Sequence, residues 1–149
     1  RIAYVDGPSM NNTLHDKETL IVSNLFYTPK NNDIVVFQSP DSGIKGGIVK
    51  RVIATAGQTV DIDFATWTVT VDGVALDESY VNYEEGNIMR SFDVTFPLTV
   101  PEGYVFVMGD NRNHSNDSRG SQIGCVDTRF IFGHVLFRVT PLSRFGTVG

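Results

Sequence analysis

Two side chains in this sequence could together cleave an acyl bond. Ser9 lies between Pro8 and Met10 in the stretch GPSM, and Lys50 lies within the apolar run GIVKRVIA. A serine hydroxyl becomes a nucleophile when a neighbouring base takes its proton, and a neutral lysine amine can be that base. An ordinary turn explains the residues around Ser9 equally well, so the rest of the chain has to decide between the two interpretations.

The surroundings of Lys50 favour a neutral amine. Alternate side chains of a strand share a face, so Ile48, Lys50 and Val52 would point the same way. Burial of that face would disfavour the ammonium and lower the lysine pKa, which is ~10.4 in a free side chain. A base at neutral pH needs a pKa lower by roughly three, equivalent to about 4 kcal/mol. The alternative is an edge-strand lysine whose ammonium reaches solvent.

The loop at residues 109–120, GDNRNHSNDSRG, concentrates polar side chains directly after the apolar run YVFVM. Its aspartates and arginines are matched in charge, and with the hydroxyl groups they could form a hydrogen-bonded network that fixes the loop. Arg112 and His114 interrupt the alternate ligand positions of a calcium loop, so no metal site is predicted. A Ser9–His114–Asp117 triad can be drawn, but the sequence has no GxSxG motif to support it.

The composition is that of a folded, moderately acidic domain. The 149 residues are 41% hydrophobic and 19% charged, which suits one globular domain. A net charge of −5 argues against a nucleic-acid partner, because phosphate binding needs a basic surface. Cys125 is the single cysteine, so it has no disulfide or CxxC partner and its role stays open. No transmembrane run is visible, and no cofactor is predicted.

Strand patterns dominate the chain, and helix patterns are weak. Many short β-branched runs separated by glycine-containing turns predict a mostly β domain with coiled, barrel-like antiparallel sheets and few short helices. Residues 59–64 and 67–73 should pair as a hairpin, and the polar segment 77–91 should be a surface excursion. Further strands are predicted at residues 2–5, 19–23, 33–38, 46–55, 93–100, 104–109 and 130–140.

Taken in order, these stretches resemble the bacterial type I signal peptidases, the Ser–Lys enzymes that release exported proteins from their leader peptides. GPSMNNTL resembles the nucleophile box of that family, NDIVVF the next strand box, VKRVIATAGQTV the lysine box and GDNRNHSNDSR the last box. The closing GHVLFRVTPLSRFG resembles the C-terminal part of the family. One box alone would be weak, but the ordered set, from about residue 5 to residue 146, is specific.

The resemblance implies a role for each matched polar residue. Ser9 would be the acyl-forming nucleophile and Lys50 its general base. Ser115 would help to hold the lysine nitrogen in place. Two ion pairs would act as scaffolding rather than in the chemistry: Asp117 with Arg119, and Asp110 with Arg51.

The oxyanion hole is the part of the site that the resemblance defines least. In the family it uses the backbone N–H of the nucleophile, and some members add a serine hydroxyl two residues earlier. Gly7 occupies that position here, as in Gram-positive members, and has no side chain to donate. The second donor therefore stays open between a backbone N–H and a water molecule.

The resemblance also implies a pocket for small side chains. Pro8 fixes the approach of the backbone because its φ is locked, and Met10 supplies flexible apolar lining. The substrate would bind extended beside residues 46–49, with alanine at the first and third positions before the cut. The implied substrate-binding residues are Val5, Gly7, Met10, Leu14, Ile48 and Val49.

The family implies a cellular setting as well. Its members carry N-terminal membrane anchors and work at the outer face of the cytoplasmic membrane. We expect residues 1–149 to be one catalytic domain, a soluble fragment whose anchor preceded Arg1, with a small accessory excursion within about residues 63–103. Its partners would be the signal peptides of exported preproteins and the lipid surface. It would be localised at the cell membrane, on the extracytoplasmic face.

Two alternative functions stay open. The first is another protease of the Ser–Lys clan, either a self-cleaving repressor or a plasmid-transfer maturation protease. A repressor should carry a DNA-binding segment, which this acidic chain does not show. The second is a non-catalytic β-rich domain that binds extended peptides, in which Ser9, Lys50 and Ser115 would occur together by chance.

Overall fold

Alternating and β-branched runs form the strands of this protein, as their side-chain pattern predicts. The computed structural model describes residues 1–148, and helical structure in this range is confined to short 3-10 turns. The strands are β1 (Ile2–Tyr4), β2 (Thr19–Ser23), β3 (Ile34–Phe37), β4 (Ile48–Thr55), β5 (Thr59–Asp63), β6 (Thr68–Val71), β7 (Val74–Ala75), β8 (Leu98–Thr99), β9 (Tyr104–Met108), β10 (Val126–Asp127), β11 (Ile131–Thr140) and β12 (Gly146–Thr147). The prediction of a mostly β fold is confirmed.

Two antiparallel sheets divide the strands within residues 1–148. The larger sheet has the order β1-β2-β11-β3-β4-β9-β10, and β12 pairs with β11. The smaller sheet has the order β7-β6-β5-β8, and it contains the predicted hairpin of β5 and β6. No helix in the described range is long and apolar enough to cross a membrane.

Strand β4 is central in the larger sheet. It pairs with β3 on one side, where Lys50 faces Val35, and with β9 on the other, where Arg51 faces Met108. The edge-strand interpretation of Lys50 is therefore wrong, because both neighbours hydrogen-bond to β4. The alternation of side chains sends Val49 into one apolar cluster and both Ile48 and Val52 into another.

The long strand β11 closes the sheet by pairing first with β3 and then with β2. Gly133 lies where β11 passes from one partner to the other, and its φ is +155°. A Cβ at this position would lie 2.3 Å from the carbonyl oxygen of Ser23, so only glycine permits this close approach. The β2–β11 pairing brings the C-terminal part of the chain beside the segment that carries Ser9.

Two predictions about residues 77–100 were wrong in part. Of the predicted strand at 93–100, only Leu98–Thr99 forms, because Pro97 has no N–H for a ladder. The segment 77–91 is irregular, as expected, but it is not simply a surface excursion: Met89 is fully buried in the apolar cluster of the smaller sheet. Apolar contacts with distant strands decide this burial, and the polar composition of the segment conceals it.

Candidate active site

Ser9 lies in a tight turn between β1 and β2. The Asn11 N–H donates to the Pro8 carbonyl at 3.0 Å, and the Leu14 N–H donates to the Met10 carbonyl at 2.9 Å. Met10 and Leu14 are almost fully buried in the cluster beneath the turn. These apolar anchors hold the turn against the sheet, while the Ser9 side chain faces a cavity.

Lys50 reaches Ser9 from the central strand β4. Its Nζ donates to Ser9 Oγ at 2.6 Å, and only 5% of its surface is exposed. Ile48 and Val52, which share the Lys50 face of β4, are also buried, so packed side chains separate the amine from bulk solvent. The burial of this face, together with the turn that lies over it, therefore places the amine beside the hydroxyl.

Burial lowers the pKa of Lys50 from its ordinary value of 10.5 to about 8. The Asp117 and Asp110 carboxylates raise the pKa, but the Arg119 guanidinium opposes them, so desolvation prevails. The lowered value corresponds to about 3 kcal/mol in favour of the neutral amine. A substantial neutral fraction therefore exists near pH 8, which gives the site a competent base.

Asp117 is the centre of a buried network beside Lys50. Its carboxylate accepts from Arg119 Nε at 2.8 Å, from Ser115 Oγ at 2.8 Å and from the Gly109 N–H at 3.0 Å. Burial alone would raise the pKa of Asp117, but the Arg119 guanidinium and these hydrogen bonds lower it overall. The Asp117 carboxylate is therefore charged, and its hydrogen bonds to Arg119, Ser115 and Gly109 fix the loop.

Ser115 donates its hydroxyl to Asp117, and no hydrogen bond joins it to Lys50 among the described residues. Its implied contact with the lysine nitrogen is thus not formed in this structure. Ser115 is nevertheless close to the nucleophile turn: a Cβ on Gly109 would lie 2.3 Å from Ser115 Oγ and 2.6 Å from the Ser9 carbonyl oxygen. Glycine at 109 permits this packing.

Arg51 and Asp110 form the second ion pair that the sequence predicted. Two parallel hydrogen bonds of 2.9 Å join them, and both side chains are buried. Thr13 Oγ1 donates to Asp110 Oδ2 at 2.5 Å, so the pair also holds the turn that carries Ser9. The Tyr80 ring stacks on the guanidinium, with Arg51 Cζ 3.8 Å from the ring centre.

Sequence reasoning missed the residues that brace this network from the segment 77–91. Glu78 Oε2 accepts from Arg112 Nη2 at 2.5 Å, and Arg112 is fully buried. Asn82 Nδ2 donates to Asn111 Oδ1 at 3.0 Å. Local sequence gives no signal for these contacts, because their partners lie 29 and 34 residues away and polar side chains in an irregular segment look like solvated ones.

A cavity of about 210 Å³ adjoins Ser9 and Lys50. Of the implied substrate-binding residues, Val5, Met10, Ile48 and Val49 line it, whereas Gly7 and Leu14 do not. Leu14 is fully buried beneath the turn instead. Pro8 and Gly47, which the sequence analysis had placed at the turn and beside the substrate, also line the cavity, whereas the sequence did not single out the remaining lining residues, Asp6, Ile44, Lys45 and Asn116.

Gly7 uses its left-handed backbone to start the nucleophile turn. Its φ is +87°, and its N–H donates to Asp16 Oδ1 at 2.8 Å. That N–H is therefore engaged and does not serve as a free second donor for an oxyanion. The Ser9 N–H, in contrast, takes part in none of the hydrogen bonds of the described residues.

Other chemistry that the residue types allow has little geometric support. His114 is 58% exposed in its side chain and lies 3.5 Å from Glu84, so it does not assemble a triad with Ser9. Burial raises the pKa of the Cys125 thiol to about 11, which disfavours its thiolate. Within residues 1–148, no three His, Cys, Asp or Glu side chains are grouped for metal binding.

A family model and individual relatives of this chain identify the same protein family. Residues 1–140 match the family described as signal peptidase, peptidase S26. The chain is 39% identical to a probable signal peptidase I-1 of Synechocystis, covering 98% of this chain and 74% of the relative. It is 34% identical to a signal peptidase I of Bacillus licheniformis, over 94% of this chain and 76% of that one.

A solved structure agrees in both sequence and fold. The crystal structure of a signal peptidase I from Enterococcus faecalis has a TM-score of 0.59 and 32% identity, covering 72% of this chain and 97% of that chain. The resemblance predicted from the four sequence boxes is thereby confirmed. The chain belongs to the signal peptidase family, peptidase S26, and is a serine peptidase that removes signal peptides from preproteins.

Proposed function

We propose that Ser9 and Lys50 are the catalytic dyad of this signal peptidase. The observation that carries the proposal is the 2.6 Å contact between Lys50 Nζ and Ser9 Oγ at a buried site beside a cavity. Such a distance lies within the range needed for proton transfer. Ser9 is then the nucleophile, and Lys50 is the general base in acylation and deacylation.

The first half-reaction transfers the signal peptide to the enzyme. Neutral Lys50 accepts the Ser9 proton while Oγ bonds to the carbonyl carbon of the residue before the cut, forming a tetrahedral oxyanion. The oxyanion collapses, the carbon–nitrogen bond breaks, and the Lys50 ammonium donates its proton to the departing amine. The mature protein leaves, and the signal peptide remains as an ester on Ser9.

The second half-reaction releases the signal peptide. Lys50 is neutral again once the leaving amine has taken its proton. It accepts a proton from a water molecule as that water attacks the ester carbon, and it then returns a proton to Ser9 Oγ. Two ion pairs, Arg51–Asp110 and Asp117–Arg119, hold the surrounding loop, and burial keeps the pKa of Lys50 low against the raising effect of the two carboxylates.

The substrate preference follows from the walls of the cavity. We propose an extended peptide beside residues 46–49, with alanine at the first and third positions before the cut. Val5, Met10, Ile48 and Val49 give these positions an apolar lining of limited volume. Ser115 is proposed to support Lys50 through Asp117, whose carboxylate its hydroxyl binds.

The cellular setting is also a proposal. We place residues 1–149 as one catalytic domain, with an accessory excursion at about residues 63–103, on the extracytoplasmic face of the cell membrane. Exposed apolar side chains near the nucleophile turn, such as Ile2 and Tyr4, suit contact with a lipid surface. The acidic net charge of −5 does not favour nucleic acid as a further partner.

The test of the dyad is peptide cleavage by two variants with matched controls. Ser9→Ala and Lys50→Met should each lower kcat about 10³-fold or more on an Ala-X-Ala leader peptide while remaining folded. Ser143→Ala and Lys30→Met make the same chemical changes at exposed positions and should retain the original rate. Mass spectrometry of the quenched reaction should find the peptide acyl group on Ser9.

Several outcomes would contradict the proposed function. If folded Ser9→Ala or Lys50→Met cleaved the leader peptide at the original rate, the dyad would be wrong. Binding of the peptide without cleavage by the unmodified chain would favour a peptide-binding domain. Cleavage confined to the chain itself would favour a self-processing protease of the same Ser–Lys clan.

A further inference from the structure

Asn111 holds the carbonyl groups on both sides of the Ser9 nitrogen. Its side-chain Nδ2 donates to the Pro8 carbonyl oxygen at 2.9 Å, and its backbone N–H donates to the Ser9 carbonyl oxygen at 2.9 Å. Asn111 is only 4% exposed. One buried residue of the polar loop thus fixes two successive peptide groups of the nucleophile turn.

The Pro8 carbonyl matters because it shares a peptide group with the Ser9 N–H. The atoms of a peptide group are coplanar, so fixing the direction of the carbonyl also fixes the direction of the N–H. A hydrogen bond to the carbonyl oxygen also polarises the group and makes its N–H a better donor. The Asn11 N–H donates to the same oxygen at 3.0 Å, so two donors act on it.

The Ser9 N–H is the group that this arrangement leaves free. It takes part in none of the hydrogen bonds of the described residues, whereas the Gly7 N–H is engaged by Asp16. An N–H that is rigidly held, without an internal partner and on the residue of the nucleophile has the properties of an oxyanion donor. Its strength depends on how firmly the peptide group is oriented.

A second asparagine fixes the orientation of the first. Asn82 Nδ2 donates to Asn111 Oδ1 at 3.0 Å, and the Asn82 backbone N–H donates to the Asp110 carbonyl at 2.9 Å. Because Oδ1 accepts from Asn82, Nδ2 of Asn111 is the atom that points toward Pro8. The Asn111 amide thereby connects the segment 77–91 to the Pro8 carbonyl, and Asn82 Oδ1 also accepts a hydrogen bond from Asn12 Nδ2 of the nucleophile turn at 3.5 Å.

We propose that Asn111 is a positioning residue for the oxyanion hole, orienting and polarising the Pro8–Ser9 peptide group so that the Ser9 N–H stabilises the tetrahedral intermediate. This role rests on the proposed function of Ser9 as nucleophile. Asn82 acts one step further away, by holding the Asn111 amide in the orientation that donates. Neither residue lines the cavity or hydrogen-bonds to Lys50.

The test uses Asn111→Ala and the isosteric Asn111→Asp, which removes the side-chain donor and keeps the shape. Loss of an oxyanion donor itself costs ~10²–10³ in kcat, and here the donor remains but is less well held. We therefore expect about a tenfold fall in kcat for Asn111→Ala and a larger fall for Asn111→Asp, with KM unchanged within about twofold. Asn82→Ala should lower kcat about threefold.

Two readouts separate positioning from general destabilisation. A peptide aldehyde forms a tetrahedral adduct with a serine, and it should bind about tenfold more weakly to Asn111→Ala than to the unmodified protein. A substrate peptide should bind equally well to Ser9→Ala and to the double variant that also carries Asn111→Ala. For Asn111→Ala, the pH at which kcat/KM is half-maximal should not move, since Asn111 is uncharged and does not hydrogen-bond to Lys50; the added carboxylate of Asn111→Asp should move it to higher pH, as the Asp110 charge does. Asn113→Asp, the same change two residues along the loop, controls for loop destabilisation.

The outcomes distinguish this role from the dyad itself. If Ser9→Ala is inactive but folded Asn111→Ala and Asn111→Asp keep the kcat of the Asn113→Asp control, the positioning role is wrong and the dyad stands. A rise in KM with kcat unchanged would also overturn it. If Ser9→Ala is active, the proposed function fails first, whatever Asn111 does.

Discussion

The polar loop at residues 109–120 and the short turn at 127–129 each contain an aspartate and an arginine two residues apart. The Asp117–Arg119 pair has a contact of 2.8 Å, and the Asp127–Arg129 pair has one of 2.6 Å. Both side chains of the first pair are fully buried, whereas Arg129 is 82% exposed. The spacing and the bond lengths are alike, and the environments are opposite.

The difference between the two pairs lies in what else each carboxylate does. Asp117 accepts from Gly109 and Ser115 in addition to Arg119, and its charge acts on Lys50. The hydrogen bonds that Asp127 accepts all come from Arg129. Water and salt screen the exposed pair, so it contributes little, whereas removal of one partner from a buried pair leaves an uncompensated charge. Contact distance alone does not reveal this contrast.

The largest expected effect is that of Asp117→Asn on folding stability. The change leaves the Arg119 guanidinium buried without its counter-charge, which should lower the free energy of unfolding by about 3–5 kcal/mol. Urea unfolding followed by tryptophan fluorescence measures it, and kcat on a leader peptide should fall too, because the loop beside Lys50 loosens. A loss comparable to that of Asp127→Asn would remove the contrast between the two pairs.

The pH dependence of activity is the next largest effect. Lys50 must be neutral to act as a base, so kcat/KM should rise about tenfold per pH unit below its pKa of about 8 and level off above it. Because the Asp117 charge raises that pKa, folded Asp117→Asn should move the midpoint to lower pH. Asp127→Asn should leave it in place. Activity that falls as the pH rises from 6 to 8 would contradict a neutral lysine base.

Glu78→Gln should have an intermediate effect, since its pair with Arg112 is mostly but not wholly buried. Arg112 is fully buried and the Glu78 side chain is 10% exposed, so the neutral amide should lower stability by about 2 kcal/mol. Activity should change less than in Asp117→Asn, because the Gly109 carbonyl still holds Arg112. Thermal unfolding and peptide cleavage at one substrate concentration would measure both effects. No change in stability would show that the pair is not effectively buried.

Asp127→Asn should have the smallest effect. The Arg129 side chain is solvated with or without its partner, so the urea midpoint should not move measurably and kcat should stay the same. The variant also serves as the matched control for Asp117→Asn, since both remove one carboxylate from an Asp-x-Arg pair. A clear destabilisation would mean that the exposed turn contributes more to folding than its environment indicates.

The sequence predicted most of the strands because their side-chain patterns are local. Strands such as β2 and β9, and the β5–β6 hairpin, lie close to their expected positions. The segment that braces the site was not predictable in the same way. Glu78, Tyr80 and Asn82 acquire their importance from partners far along the chain, and no local pattern separates them from solvated surface residues.

By itself, the sequence determined which groups are present and in what order: a serine in a rigid turn, a lysine in a β-branched run, and a charge-balanced polar loop. That order was sufficient to identify the family. The tertiary structure alone decided that the lysine amine is desolvated and lies within hydrogen-bonding distance of the hydroxyl, and that one Asp-x-Arg pair is buried while the other is solvated. The physical reason is that desolvation depends on distant segments packed around a group, which its neighbours in the chain do not specify.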